Sequence, residues 1–222
     1  MNNTLTRNNL QAIFFDLDGV VVDSEPLHAK AKKIVLEKHG IHYSSTVFDE
    51  YKGKTDMLFF KHIVDGIDLN NHLLSILIND KNAVFEKIIK EMKLIDGFLS
   101  FHEKVKLEGI KTALVSSTSQ YSLGLLDSIY QLTKLFDLVI TESDTDYHKP
   151  HPAPYLKALS MLPSNARNTI VIEDSPNGIL SAKSAGCFVC GITSSFSESI
   201  LRNAGANDIV CGYKDLERKF RI

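Results

Sequence analysis

The sequence predicts an α/β protein with a parallel sheet, interrupted early by a helical insert, and three observations carry that reading. Short β-branched or aromatic runs recur along the chain as near-continuous apolar stretches, the pattern of strands buried on both faces. Longer stretches of helical period separate them. The interval from about Asp23 to Met92 holds almost no strand signal. In order, "AIFF" is the first strand. A helix then starts near Ser24, with Pro26 tolerated in its opening turn, and stops at Gly40. In "FEKIIKEMKLI", Phe85, Ile88, Ile89 and Met92 fall at i, i+3, i+4 and i+7, and Glu86 with Lys90 and Lys87 with Glu91 are spaced as i,i+4 pairs on the other face. The remaining strands are "KTALVS", "DLVIT", "NTIVIED" and "CFVCGI". No internal repeat or low-complexity tract is present.

Composition excludes several classes of function. Of 222 residues, 44% are hydrophobic, enough for a sizeable core, and the formal net charge is -2 with 25 basic against 27 acidic side chains. Without a dense basic block, neither nucleic acid nor an anionic membrane is expected as a partner. No window approaches 18 apolar residues, and "MNNTLTRNNLQ" lacks a signal-peptide apolar region, so a cytoplasmic protein is expected. An odd count of three cysteines argues against a disulfide framework. Cys187 and Cys190 form a CxxC inside an apolar run with no second metal-binding pair nearby, which places them in the core.

The chemistry is concentrated in "FDLDG". Asp16 falls at the C-terminal end of the first strand, the edge where open α/β sheets bind ligands, and Asp18 follows two positions later. Two carboxylates so close repel one another unless a cation lies beside them. Mg²⁺ suits hard oxygen ligands that share it with waters and a substrate phosphate. Later strand ends add Ser116 and Ser117 in "VSSTS", Lys149 in "HKPHPAPY", and Glu173 and Asp174 in "VIEDSPNGI".

Taken in order, these four motifs resemble the haloacid dehalogenase superfamily, within it the phosphoglycolate phosphatase and β-phosphoglucomutase-like group, and the resemblance spans essentially the whole chain. It implies a Rossmann-like parallel sheet core, residues 1–22 and 95–222, with an inserted all-helical cap domain at 23–94. It further implies a Mg²⁺-dependent phosphatase acting on a small phosphomonoester such as a sugar, polyol or glycolate phosphate. By the same resemblance Asp16 is the nucleophile, ionised at pH 7 and converted to an aspartyl phosphate. Asp18 is the general acid and base, and its backbone carbonyl binds the metal. Asp174 completes the metal site with Asp16, and Glu173 is either a further ligand or the acceptor of a metal-bound water. Ser116, with the Ser117 backbone beside it, holds a phosphoryl oxygen, and Lys149 offsets the charge of nucleophile and phosphate.

Asp18 argues against a dehalogenase, which has no leaving oxygen to protonate. Phosphonate-cleaving relatives use a cap lysine, but Lys30, Lys32 and Lys33 are read as a solvated helix face. "YKGKTD" is no P-loop, because Phe48 stands where that pattern needs glycine. It matches the family's cap loop, so Lys52, Gly53 and Thr55 are candidate substrate-binding residues, together with His28. β-Phosphoglucomutases carry an arginine where this chain has Asp56, and an acid there is expected to repel a second phosphate, which favours phosphatase over mutase. A monomer or homodimer is expected.

Overall fold

The computed structural model describes residues 9–51, 56–65 and 72–222. In chain order the elements are β1 (Ala12–Phe15), β2 (Val22–Asp23), α1 (Glu25–Lys38), α2 (Val47–Glu50), α3 (Asp56–Ile63), α4 (His72–Ile88), β3 (Lys93–Leu94) and α5 (Phe98–Leu107). There follow β4 (Lys111–Val115), α6 (Gln120–Tyr130), α7 (Leu132–Leu135), β5 (Leu138–Ile140), α8 (Ala153–Met161), β6 (Thr169–Glu173), α9 (Pro176–Ser184), β7 (Phe188–Ile192), α10 (Glu198–Asn203), β8 (Asp208–Val210) and α11 (Tyr213–Phe220).

Six strands form one sheet in the order β5-β4-β1-β6-β7-β8, every neighbouring pair parallel. The α/β, Rossmann-like class read from the sequence is the observed one. All four residues of β1 and all five of β6 are buried, which explains their unbroken apolar runs. Phe14 joins a core cluster with Tyr155, Val171 and Ile179. Its neighbour Phe15 points to the opposite face, against Phe98, Phe101 and Phe136. Register brings the functional edge together. Phe15 pairs with both Leu114 and Ile172, so one step further Asp16 stands level with Val115 and Glu173. Strand β8 escaped the sequence reading, because three residues among polar neighbours give no periodic signal.

The chain divides into two compact units, residues 1–23 with 93–222, and 24–92. Strands β2 and β3 pair antiparallel as a separate two-stranded sheet, and Asp23, Lys93 and Leu94 fall in the same unit as the six-stranded sheet.

Among the described residues, 24–92 hold helices joined by turns and loops, with no strand. Helix α1 starts just after Ser24, with Pro26 in its first turn, and Gly40 past its end takes φ +64°, a left-handed conformation that suits glycine. Val35, Leu36, Phe59, Phe60, Leu74 and Leu77 form this unit's own core. Two local expectations change here. Helix α4 ends at Ile88 and tightens into a 3₁₀ turn over Ile89–Glu91, which breaks the i,i+4 spacing; Glu91 instead pairs with Lys30 of α1. Lys32 is not on a solvated face. It is only 4% exposed, lies 3.3 Å from Asp56 Oδ1, and sits over the Phe59 ring at 4.8 Å. Among the described residues no helix is long and apolar enough to cross a membrane.

Candidate active site

The parallel register delivers Asp16, Val115 and Glu173 to one edge of the sheet, and Lys149 joins them. Its Nζ donates to Asp16 Oδ1 at 2.6 Å, to the Val115 carbonyl at 2.8 Å and to Glu173 Oε1 at 2.7 Å. Those three bonds use every N–H of the ammonium group. Glu173 has no solvent exposure. It also accepts the Tyr155 hydroxyl at Oε1, 2.7 Å, and the Ser175 hydroxyl at Oε2, 3.2 Å.

The run "EDSPNG" folds as it does for local reasons. Ser175 caps α9, its Oγ accepting from the Gly178 N–H at 3.1 Å, and Pro176 occupies the first turn, where its missing N–H costs nothing. Gly178 is required by the close approach of Glu173, since a Cβ there would lie 1.9 Å from its carboxyl carbon. Gly19 has the same function in the turn after Asp18. It adopts φ +70°, and a Cβ would lie 1.8 Å from Asp174 Oδ2.

Asp16, Glu173 and Asp174 are all buried, with ligand oxygens within 4.8 Å of one another. One lysine does not neutralise three carboxylates. Burial drives the Asp16 pKa up to about 7; Lys149 pulls it back, while Glu173 and Asp18 add to the rise. Burial, followed by Asp16 and Glu173, lifts Asp174 well above the usual carboxylate range. Burial disfavours the Lys149 cation, but Asp16 and Glu173 outweigh it and hold the ammonium charged. Burial, with Glu173 and Asp18, thus works against ionisation of Asp16, and Lys149 works for it. Hard oxygen donors, tight clustering and a surplus of negative charge are what a divalent cation offsets, so the trio fits a metal site.

Ser116 is buried at the end of β4 and its Oγ accepts the Thr118 N–H at 2.9 Å, whereas Ser117 is exposed. Asp18 stands outside the carboxylate trio; its Oδ2 accepts the Thr118 hydroxyl at 3.0 Å. His28 lies on α1 with its ring stacked on Phe85 at 4.2 Å. Lys52, Gly53 and Thr55 lie outside the described residues. Tyr155 and Thr118 were missed from sequence. A tyrosine on an apolar helix face reads as core, and a threonine beside two serines reads as turn.

Residues 13–192 match the family of haloacid dehalogenase-like hydrolases, and the chain belongs to that family. It is 30% identical over 206 residues to a phosphorylated carbohydrates phosphatase of Thermotoga maritima, covering 90% of this chain and 94% of that protein. It is 28% identical over 211 residues to a phosphoglycolate phosphatase of Neisseria meningitidis, covering 87% and 84%. Among solved structures it resembles a haloacid dehalogenase hydrolase of family IA, variant 3, from Entamoeba histolytica. That match has a TM-score of 0.77 and 26% identity, with 93% and 95% of the two chains covered.

Proposed function

We infer that the protein is a phosphoric monoester hydrolase that uses Mg²⁺ and an aspartyl-phosphate intermediate to hydrolyse a small phosphorylated metabolite, a sugar, polyol or glycolate phosphate. The observation that carries this is the buried trio Asp16, Glu173 and Asp174 gathered around Lys149 at the strand ends. The names of the phosphatase relatives support the substrate class.

In this reading an Asp16 oxygen attacks phosphorus as the bond to the leaving oxygen breaks, and Asp18 supplies the proton that leaves with the alcohol. Water then attacks the phosphorus, Asp18 takes its proton, and phosphate departs with Asp16 restored. Lys149 holds the Asp16 carboxylate in one orientation and offsets its charge. With all three N–H groups engaged, it acts on the phosphoryl group through charge unless one of those bonds is exchanged. The Ser116 hydroxyl accepts from Thr118 and keeps its own proton to donate to a phosphoryl oxygen. Asp16, Asp174, Glu173 and the Asp18 carbonyl would hold a Mg²⁺ ion, which would supply neutralisation of the carboxylate and phosphate charge. The balanced composition and three free cysteines suit a cytoplasmic enzyme.

The test is phosphate release from a panel of hexose and pentose phosphates, polyol phosphates and phosphoglycolate, with Mg²⁺ and with excess chelator. Release that needs Mg²⁺ and disappears in Asp16→Asn is expected. Undiminished turnover in chelator, or in Asp16→Asn, defeats the reading. A hexose 1-phosphate given a trace of its 1,6-bisphosphate yields inorganic phosphate or no reaction. Stoichiometric conversion to the 6-phosphate without phosphate release identifies a mutase instead.

A further inference from the structure

Thr118 lies two residues past Ser116 in the loop that follows β4, and its Oγ1 donates to Asp18 Oδ2 at 3.0 Å across a sequence separation of 100 residues. This bond joins the loop after β4 to the turn after β1. Thr118 is itself held at both ends of its peptide units. Its N–H donates to Ser116 Oγ at 2.9 Å, and its carbonyl accepts the Glu142 N–H at 3.4 Å. The next residue, Ser119, caps α6 by accepting from the Ser122 N–H at 3.1 Å. The hydroxyl is thus presented from a backbone fixed on either side, and β-branching restricts its rotamers further.

We propose that Thr118 is the positioning residue for Asp18, holding one carboxyl oxygen so that the other faces the reacting ester. This rests on the phosphatase reading above. With Oδ2 occupied as acceptor, Oδ1 is the atom left to carry the proton. As the phosphorus–oxygen bond breaks, the proton passes from Oδ1 to the leaving oxygen; when water attacks the aspartyl phosphate, Oδ1 takes a proton from it. The Thr118 proton stays on Thr118 throughout. A tether is needed because Asp18 and Asp16 repel one another, the same repulsion that helps raise the Asp16 carboxyl. Without the hydroxyl, that repulsion favours rotamers that swing Asp18 away. Thr118 also lies in a loop rather than in the packed core, so the loss of its hydroxyl leaves the sheet intact.

The test uses the leaving group. Thr118→Val removes the hydroxyl and keeps the shape. Its kcat/KM for phenyl phosphate, whose leaving oxygen needs the proton, is expected to fall about tenfold. For p-nitrophenyl phosphate, whose leaving group departs nearly unaided, the expected loss is no more than about twofold. Thr118→Ser is expected to restore the parental ratio between the two esters. Equal losses on both esters in Thr118→Val, or a Thr118→Ser that behaves like Val, overturn the assignment while leaving the phosphatase reading in place. An unmodified protein that releases phosphate neither from these esters nor from the phosphometabolite panel overturns the phosphatase reading, and this inference with it.

Discussion

Lys149 Nζ lies 2.7 Å from Oε1 of Glu173, a carboxylate with no exposure to solvent, and the same ammonium reaches Asp16 at 2.6 Å. Lys149→Met leaves two buried carboxylates facing each other. Removing one partner from a buried ion pair costs about 3–5 kcal/mol, so denaturant unfolding is expected to show a loss of that size. Phosphate release should drop by about 10²–10³, the range for one lost electrostatic group in an active site. Lys149→Arg is not expected to rescue it, because a planar guanidinium does not reproduce three bonds that diverge to Asp16, Val115 and Glu173. A Met variant as stable and active as the parent contradicts this account.

The Asp16 carboxyl, raised to about 7 from its ordinary 3.8, links stability to pH. The folded state binds more protons than the unfolded state between those limits, so this group's contribution to stability, present at low pH, is lost as pH rises through 7. Asp174, also raised, acts in the same direction. If Mg²⁺ binds as proposed, added Mg²⁺ is expected to oppose the loss, since a ligand at 100 times its Kd stabilises by about 2.7 kcal/mol. Melting curves at pH 8 are expected to shift upward with MgCl₂ in the parent and to respond little in Asp174→Ala. Equal shifts in both proteins would place the cation elsewhere.

Asp56 does not offer the bare negative charge expected of it. Lys81 reaches its Oδ2 at 2.7 Å and Lys32 its Oδ1 at 3.3 Å, and both lysine side chains are almost fully buried. Burial alone would raise the Asp56 carboxyl, but Lys81 first and Lys32 next bring it below its ordinary value. The three groups together carry a positive surplus, so Asp56 gives no ground for choosing phosphatase over mutase. Asp56→Arg adds a third cation and is expected to destabilise the protein by about 3–5 kcal/mol. A calorimetric melting point equal to the parent's would show that these lysines do not depend on Asp56.

His102 is buried among Phe15, Phe98 and Phe136, and its Nε2 has no hydrogen-bond partner among the described residues. Burial lowers its pKa to about 4 from 6.5, and Lys106 adds to the fall while Asp137 opposes it. The folded state therefore binds fewer protons than the unfolded state between those values, and stability falls as pH drops from 6.5 to 4. His102→Leu removes this contribution. Relative to the parent it is expected to gain up to about 3 kcal/mol between pH 7 and pH 4, measured by urea unfolding at each pH. A constant difference across that range would mean that His102 does not titrate on unfolding.

The local code was readable in one dimension. Period and burial announced β1, β4, β5, β6 and β7, the Ser24–Gly40 helix showed its own start and stop, and "DLDG" and "EDSPNG" carried their turns, cap and glycines within a few residues. These features depend on neighbours along the chain, and the chain states its neighbours outright. Cys187 and Cys190 likewise followed from their apolar run: both are buried, with thiols raised to about 12 by burial. The partners of the charges were decided elsewhere. Lys149 finds Glu173 at a separation of 24 residues and Asp16 at 133, Thr118 finds Asp18 at 100, and Asp56 finds a lysine on each of two other helices. The Asp16 ionisation follows from those distances and from burial, which no linear pattern encodes, because a carboxyl pKa is set by dielectric and by charges within a few ångströms in space. Strand register brought Asp16 level with Glu173, and only packing of the sheet against its helices removed the water that would otherwise have kept Asp16 at its ordinary value.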